Sequence, residues 1–427
     1  MAEYKKKKIK RHLFRKKKHT HLENKAEPSR IDKSSTKEKV NDEPKDEIKV
    51  IKGSKLRRKR QLRIFACIIC VFVSFALILS MALPGGLYEN AVNFFATLGS
   101  GSYPISISGG TIVNVSANGS HYYVLTDTNI AAYSTGGKIV FDEMHGFENP
   151  IISVAGTRAL IFDQGGKNLY IYNLSGKLHT LTLEDNIINA SISEEGEFAV
   201  ATHSKSNASV VKVYDSDFEE IYVWNSYNDI INNVLVNTDG DQLAISSFEV
   251  ISGEYVSKVM IFEFDSADAV YTINYSNSLV IDIENTGDGI SIITNNKYEY
   301  LHWSDFNNSN LSFSSEINSF QSNSDGVLLT INRANDRSDN TIVLISEEGN
   351  KISEFKIDST ITDIQYYDGR IYALCDTQIR IYDQNGKILR SSNCNYGTHK
   401  IIVLSSDAVA AISDIEISKL EIKEGDD

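Results

Sequence analysis

Cysteine, tryptophan and the usual catalytic signatures are nearly missing from this chain of 427 residues, which holds four cysteines and two tryptophans. Cys67 and Cys70 fall inside an apolar stretch, so only Cys375 and Cys394 remain for a disulfide. Their spacing allows one bridge if strands bring them together, but two cysteines cannot staple a long chain, and stability has to come from an apolar core. No Gly-x-Ser-x-Gly elbow, phosphate-binding glycine loop or His-Glu-x-x-His pair occurs, and no Cys-x-x-Cys lies outside the apolar stretch. Linear motifs therefore give no support to a serine hydrolase, a nucleotide-binding enzyme or a zinc site. Helical periodicity is scarce as well.

Long hydrophobic runs are limited to one. Residues 64–83, Ile64 to Leu83, are uncharged, follow Lys55, Arg57, Arg58, Lys59, Arg60 and Arg63, and give way to Pro84-Gly85-Gly86. Twenty residues at about 1.5 Å each match the roughly 30 Å hydrocarbon core of a bilayer, which predicts a transmembrane helix over 64–83. A signal peptide is the competing reading, since Ser80-Met81-Ala82 has the small-x-small form that signal peptidase cuts. The length of the run and the long leader before it favour an uncleaved anchor. Charge divides unevenly around the run. Residues 1–63 hold 24 Lys+Arg against 9 Asp+Glu, a net of +15, and residues 64–427 hold 19 against 47, a net of −28. The positive-inside rule places the basic arm in the cytoplasm and the long acidic part outside the cell membrane.

The arm, 1–63, has too little apolar periodicity to bury surface and reads as a disordered basic cytoplasmic tail. Its clusters at Lys5–Lys18 and Lys55–Arg63 suit anionic lipid headgroups. Nucleic acid is not expected, because no aromatic stacking partner or reading module accompanies the charge. His19-Thr20-His21 in such a tail reads as solvated rather than metal-bound. Residues 84–101 form a juxtamembrane helix and hinge. Leu87, Ala91, Val92, Phe94, Phe95 and Leu98 recur at helical spacing, a face able to rest on the outer membrane or pack beneath the next domain, and Gly99-Ser100-Gly101-Ser102 reads as the hinge.

From residue 102 to 422 the sequence repeats. Each unit runs an alternating strand into a glycine turn, a second apolar strand, then a third ending in a bulky residue before another polar turn. The first-turn glycines are Gly119, Gly156, Gly196, Gly240, Gly289, Gly326 and Gly369, and the bulky residues are Tyr133, Tyr172, Tyr214, Phe264, Trp303, Ile345 and Tyr382. Both markers keep a period near 40 residues. The second turns share one form in Tyr133-Ser-Thr-Gly-Gly-Lys138, Tyr172-Asn-Leu-Ser-Gly-Lys177 and Tyr382-Asp-Gln-Asn-Gly-Lys387, with the glycines that tight hairpins require. Such units predict an all-β fold, a β-propeller. Units start near Ile112, Ile151, Ile188, Val234, Ile281, Phe320, Ile361 and Ile401, so eight blades are expected, or seven if an irregular unit such as that at Phe320 is overcounted. The last unit lacks a fourth strand, which the orphan Tyr103–Ser108 supplies, closing the ring and removing its exposed edges. Residues 423–427 form an acidic tail.

The basic tail, single span, Gly99-Ser100-Gly101-Ser102-Tyr103-Pro104 segment and tryptophan-poor repeats together resemble a family of single-pass membrane proteins from clostridial Firmicutes. The resemblance covers essentially the whole chain and implies a Gram-positive cell surface and a WD40-like or quinoprotein-like propeller. It carries over no catalytic, cofactor-binding or metal-binding residues. The repeats lack the Gly-His and Trp-Asp pairs of WD40 proteins and the tryptophan-rich motifs of quinoprotein dehydrogenases, so no quinone or other cofactor is expected.

Two acidic turns, Asn237-Thr-Asp-Gly-Asp241 and Glu284-Asn-Thr-Gly-Asp-Gly289, look like pieces of calcium loops, but neither reaches a bidentate glutamate and hairpin geometry accounts for both. Tyr122, Tyr123, Tyr222, Trp224, Tyr366 and Tyr367 are candidates for a recognition face, with core packing the better reading for most. In adjacent pairs, one member is expected to pack between blades. His121, His145, His179, His203, His302 and His399 are scattered singly over the repeats. The expected function is a membrane-anchored extracellular scaffold, not an enzyme, that binds a protein or cell-envelope ligand. The alternative is a surface hydrolase or lyase with its site in the propeller channel, marked by converging carboxylates or histidines there.

Overall fold

The computed structural model describes residues 63–75 and 86–422, except 252, 324, 334 and 335. The chain divides into two compact units, Met1–Phe65 and Ala66–Asp427, and every described strand lies in the second. Helix α1 covers 63–75 and helix α2 covers Gly86–Thr97. The expected span over 64–83 is not supported by the described residues. Residues 64–75 are helical with exposed side chains, such as Phe65 and Phe72, and 76–83 lie outside the described residues. Among the described residues no helix is long and apolar enough to cross a membrane. The tail 1–62, the cleavage motif at Ala82 and the acidic tail 423–427 also lie outside the described residues.

The strands form eight four-stranded antiparallel sheets, each a blade. Seven are built from consecutive strands, with innermost strands Ile112–Asn118, Pro150–Ala155, Ile187–Ile192, Ile230–Val236, Val280–Thr286, Ile317–Asn323 and Ile361–Tyr367. The eighth begins at Lys400–Ser405, and its outermost strand is Ile105–Ser106 from the start of the repeat region. Ile105 pairs with Ile417 and Ser106 with Glu416, and the Ile107 amide adds a bond to the Ile415 carbonyl at 3.0 Å. The eight-blade reading and its closing strand therefore hold.

Period-2 alternation builds the core. One apolar cluster fills each of the eight junctions between neighbouring blades. A blade is covered on both faces, so alternate residues of one strand serve different junctions. Tyr122 and Val124 pack toward the eighth blade, whereas Tyr123 and Leu125 pack toward the second. At Tyr122–Tyr123 both members pack between blades, one more than expected, whereas at Tyr366–Tyr367 one packs, as expected. Tyr122 and Tyr123 are both fully buried, as are most of Tyr222 and Tyr366; only Tyr367 of the six aromatics is exposed, with Trp224 partly covered.

Turn chemistry follows the sequence with one shift. Gly119, Gly156, Gly196, Gly240, Gly326 and Gly369 take positive φ, but in the fifth blade that role falls to Gly287, at φ 53°. Gly289 instead opens a strand pressed against Tyr300 and Leu301, where a Cβ would clash. At Asn237–Asp241 the Asn237 side chain accepts from the Asp241 and Gln242 amides, 2.9 Å each, and donates from Nδ2 to the Asp241 carboxylate at 2.7 Å, so Asn237 and Asp241 serve the hairpin. Cys375 and Cys394 lie in the seventh blade as free thiols facing different clusters.

Candidate functional site

Two places on the propeller gather chemistry. The first is the ring of innermost strands. Their Asn, Gln and Ser side chains mostly tie one blade to the next: Asn118 to the Gly156 carbonyl (2.7 Å), Ser191 to the Val236 amide (3.0 Å), Asn232 to the Val280 carbonyl (2.8 Å), Gln321 to the Tyr366 amide (2.7 Å) and Gln365 to the Ile401 carbonyl (2.7 Å). A side chain that satisfies a neighbour's inner backbone in this way stitches the ring and is not free for a ligand. Asp363 is used likewise, accepting from the Ile401 amide at 2.8 Å and facing the Lys400 ammonium at 3.4 Å. Burial raises its carboxyl above the ordinary range, and Lys400 partly offsets the shift.

Asp282 and Glu284 differ. They sit two residues apart on the innermost strand of the fifth blade and so share one side. Asp282 accepts from Asn233 Nδ2 (2.9 Å) and the Ile283 amide (2.8 Å), yet burial still raises its pKa. Glu284 is raised further, first by burial and then by the Asp282 charge, so the pair favours holding a proton. No histidine joins them: none of the six lies on an innermost strand. His121 is buried with both ring nitrogens unpartnered, and burial pushes its pKa down to about 4. His145 is a structural link, donating from Nε2 to the Thr126 carbonyl and accepting the Phe147 amide at Nδ1, 3.0 Å each.

The second place is a cleft of about 490 Å³ between the fifth and sixth blades, on the face that carries the turns joining first to second and third to fourth strands. Gly287 and Asp288 come from the first turn of the fifth blade, Tyr300, His302, Asp305 and Asn307 from its third strand and second turn, Asn308 from the start of its fourth strand, and Glu347 and Glu348 from the second turn of the sixth. Close packing makes the cleft. Gly287 (φ 53°) stands where a Cβ would meet the Glu347 carbonyl oxygen at 2.7 Å, and Gly349 (φ 77°) stands where a Cβ would strike the Tyr300 ring. Ser309 Oγ then bonds the Gly349 carbonyl at 3.0 Å. His302 Nδ1 faces Asp305 Oδ1 at 3.4 Å, and Asp305 accepts from the Asn307 amide at 3.1 Å. The Tyr300 hydroxyl is raised by burial and then by Asp288, Glu348 and Glu347.

Four carboxylates thus face one cleft, and none of the described residues lining it is a lysine or arginine. The field is negative and suits a cationic group. Among the described residues no three His, Cys, Asp or Glu side chains are arranged to hold a metal ion. Of the lining residues, the sequence marks only His302 and the Glu284–Gly289 turn, the latter explained by hairpin geometry, and gives no signal at Tyr300, Asp305, Glu347 or Glu348.

The structure is similar to the C-terminal WD40 domain of Sif2 (TM-score 0.52, 12% identity, 75% of this chain and 97% of that one). It also resembles BamB from Moraxella catarrhalis (TM-score 0.49, 13% identity, 75% and 99%) and AztD from Citrobacter koseri (TM-score 0.49, 9% identity, 67% and 86%). At these identities the Sif2 likeness supports the propeller fold and nothing finer. No curated protein matches the sequence. Residues 100–422, which contain the whole propeller, match the model described as a family of unknown function (DUF5711), and the chain belongs to that family.

Proposed function

We propose that this protein is a membrane-anchored binding scaffold at the cell surface, with the basic arm in the cytoplasm, the propeller outside, and a protein or cell-envelope ligand held through a cationic group. The observation that carries the reading is the cleft between the fifth and sixth blades, where Asp288, Asp305, Glu347 and Glu348 face one opening without a compensating lysine or arginine among its described lining residues. The net charge of −28 over residues 64–427 works in the same direction, disfavouring anionic polymers. The inner ring supports it from the other side, since its polar side chains are largely consumed in holding the blades together.

The test compares the tagged full-length protein with the triple variant Asp288→Asn, Glu347→Gln, Glu348→Gln. Wild-type protein should retain a lysine-rich peptide in a salt-sensitive manner, ignore a glutamate-rich one, and capture a partner from envelope extracts that the variant loses. Equal capture by the variant would refute the cleft as the site. A second reading, a hydrolase or lyase, is favoured by the Asp282–Glu284 pair, which resembles a proton-sharing acid–base couple. Turnover of any substrate in a broad panel, abolished by Glu284→Gln, would put that reading first.

A further inference from the structure

Helix α2 is amphipathic, and it docks on the propeller by its polar side. At 100° per residue, Glu89, Asn93 and Ala96 share one face, while Ala91, Phe94, Phe95 and Leu98 share the opposite one. The Glu89 carboxylate receives Arg158 through Nε at 3.2 Å and Nη2 at 2.9 Å, and accepts Asn173 Nδ2 at 3.1 Å. Asn93 Nδ2 donates to Thr157 Oγ1 at 2.9 Å, and Ala96 packs against the cluster between the first two blades. Lys138 Nζ closes the C-terminal end by donating to the Ala96 and Leu98 carbonyls at 2.6 and 2.8 Å, where a cation is favoured by the helix dipole. Beyond the helix the chain passes close to the first blade, with Gly101 pressed on the Gly137 backbone. On the opposite face Phe94 is 62%, Phe95 67% and Leu98, just past the helix end, 48% exposed, with no cover among the described residues.

We infer that this face is embedded in the interfacial layer of a lipid bilayer and that α2 is the fixed mount seating the propeller against the membrane. The inference rests on the anchoring part of the proposed function. What selects lipid is chain length. The uncharged run ends at Leu83 and α2 starts at Gly86, a gap that stretches to no more than about 11 Å. If the run leaves the bilayer at Leu83, α2 starts within reach of the headgroup layer. It then offers that layer two phenylalanines and a leucine, while its one acidic side chain is engaged with Arg158 on the other side. Burying the apolar face of a short helix to a depth of about 5–10 Å is the known physics of interfacial helices. Docking to the propeller supplies the preorganisation that a twelve-residue helix lacks alone.

The experiment uses the full-length chain in phosphatidylcholine–phosphatidylglycerol vesicles, with Cys67, Cys70 and Cys394 replaced by serine and buried Cys375 left in place. A fluorophore is attached in turn at Phe72→Cys, Phe95→Cys and Tyr396→Cys, the last marking the 95%-exposed reference. Quenching is measured with a lipid-borne nitroxide and with aqueous iodide. The expected result is strong lipid quenching at 72 and 95 and iodide quenching alone at 396. Lipid quenching at 72 with position 95 behaving like 396 would overturn the mount while leaving the anchor intact. Iodide quenching at 72 would overturn the anchor, and the mount with it.

Discussion

Closure of the ring depends on two paired residues, which makes Ile105 a sharp test of the architecture. Its side chain is 5% exposed and packs with Tyr122, Val124, Ile402, Ile412 and Ile417 at the junction of the first and eighth blades. Replacing it by alanine removes three carbons, worth about 2.4 kcal/mol at about 0.8 kcal/mol each, before any term for the hole left behind. The hole cannot collapse easily, because Tyr122 is stacked on Tyr133 with ring centroids 5.3 Å apart and both are buried. A loss of about 3 kcal/mol is therefore expected for Ile105→Ala, against about 0.3 kcal/mol for the exposed neighbour Ser106→Ala. Urea denaturation followed by far-ultraviolet circular dichroism and by tyrosine fluorescence measures both. If Ile105→Ala unfolds within about 1 kcal/mol of wild type, Ile105–Ser106 does not seal the ring, and the eighth blade stands on three strands.

Glu89→Gln leaves the Arg158 guanidinium, 11% exposed, with the Ser216 carbonyl but no charge partner. Docking of α2 should weaken by about 2 kcal/mol, discounting the pair for its partial exposure. Amide exchange across Gly86–Thr97 should then run about thirtyfold faster with the global urea midpoint unchanged, and equal exchange would mean the clamp is idle. The Asp282–Glu284 pair predicts a pH dependence. A carboxyl whose folded pKa is raised binds its proton more tightly when folded, so its share of stability is greatest in acid and falls as pH rises from the ordinary carboxylate range through the folded value. His121 works oppositely: its folded pKa is lowered to about 4, and stability is lost as pH falls below about 6.5 toward that value. Glu284→Gln should flatten the decline of stability between about pH 5 and 8, a difference of about 2 kcal/mol in urea titrations. An unchanged slope would show that the pair is solvated.

The propeller was legible because its information is local. Alternating residues in each short strand, a positive-φ glycine at most first turns, and a missing fourth strand in the last repeat are written within about 40 residues, and the closing strand follows from counting. Even the one misplaced marker was local, with Gly287 turning the chain two residues before Gly289, which packs on Tyr300. The cleft was not legible because it is non-local. Asp288, Asp305 and Glu347 belong to three turns on two blades, and each reads alone as an ordinary polar hairpin residue. The polarity of α2 was hidden for the same reason. Its amphipathic spacing was plain, but whether the apolar or the polar face meets the propeller is decided by Lys138, Thr157, Arg158 and Asn173, which sit at three separate places in turns and strand ends. An isolated helix of this composition would bury Phe94 and Phe95 against the nearest protein surface. Here a bidentate ion pair and two amide contacts hold the other side, so the phenylalanines face away from the blades and the apolar spacing of the helix, read alone, points the wrong way.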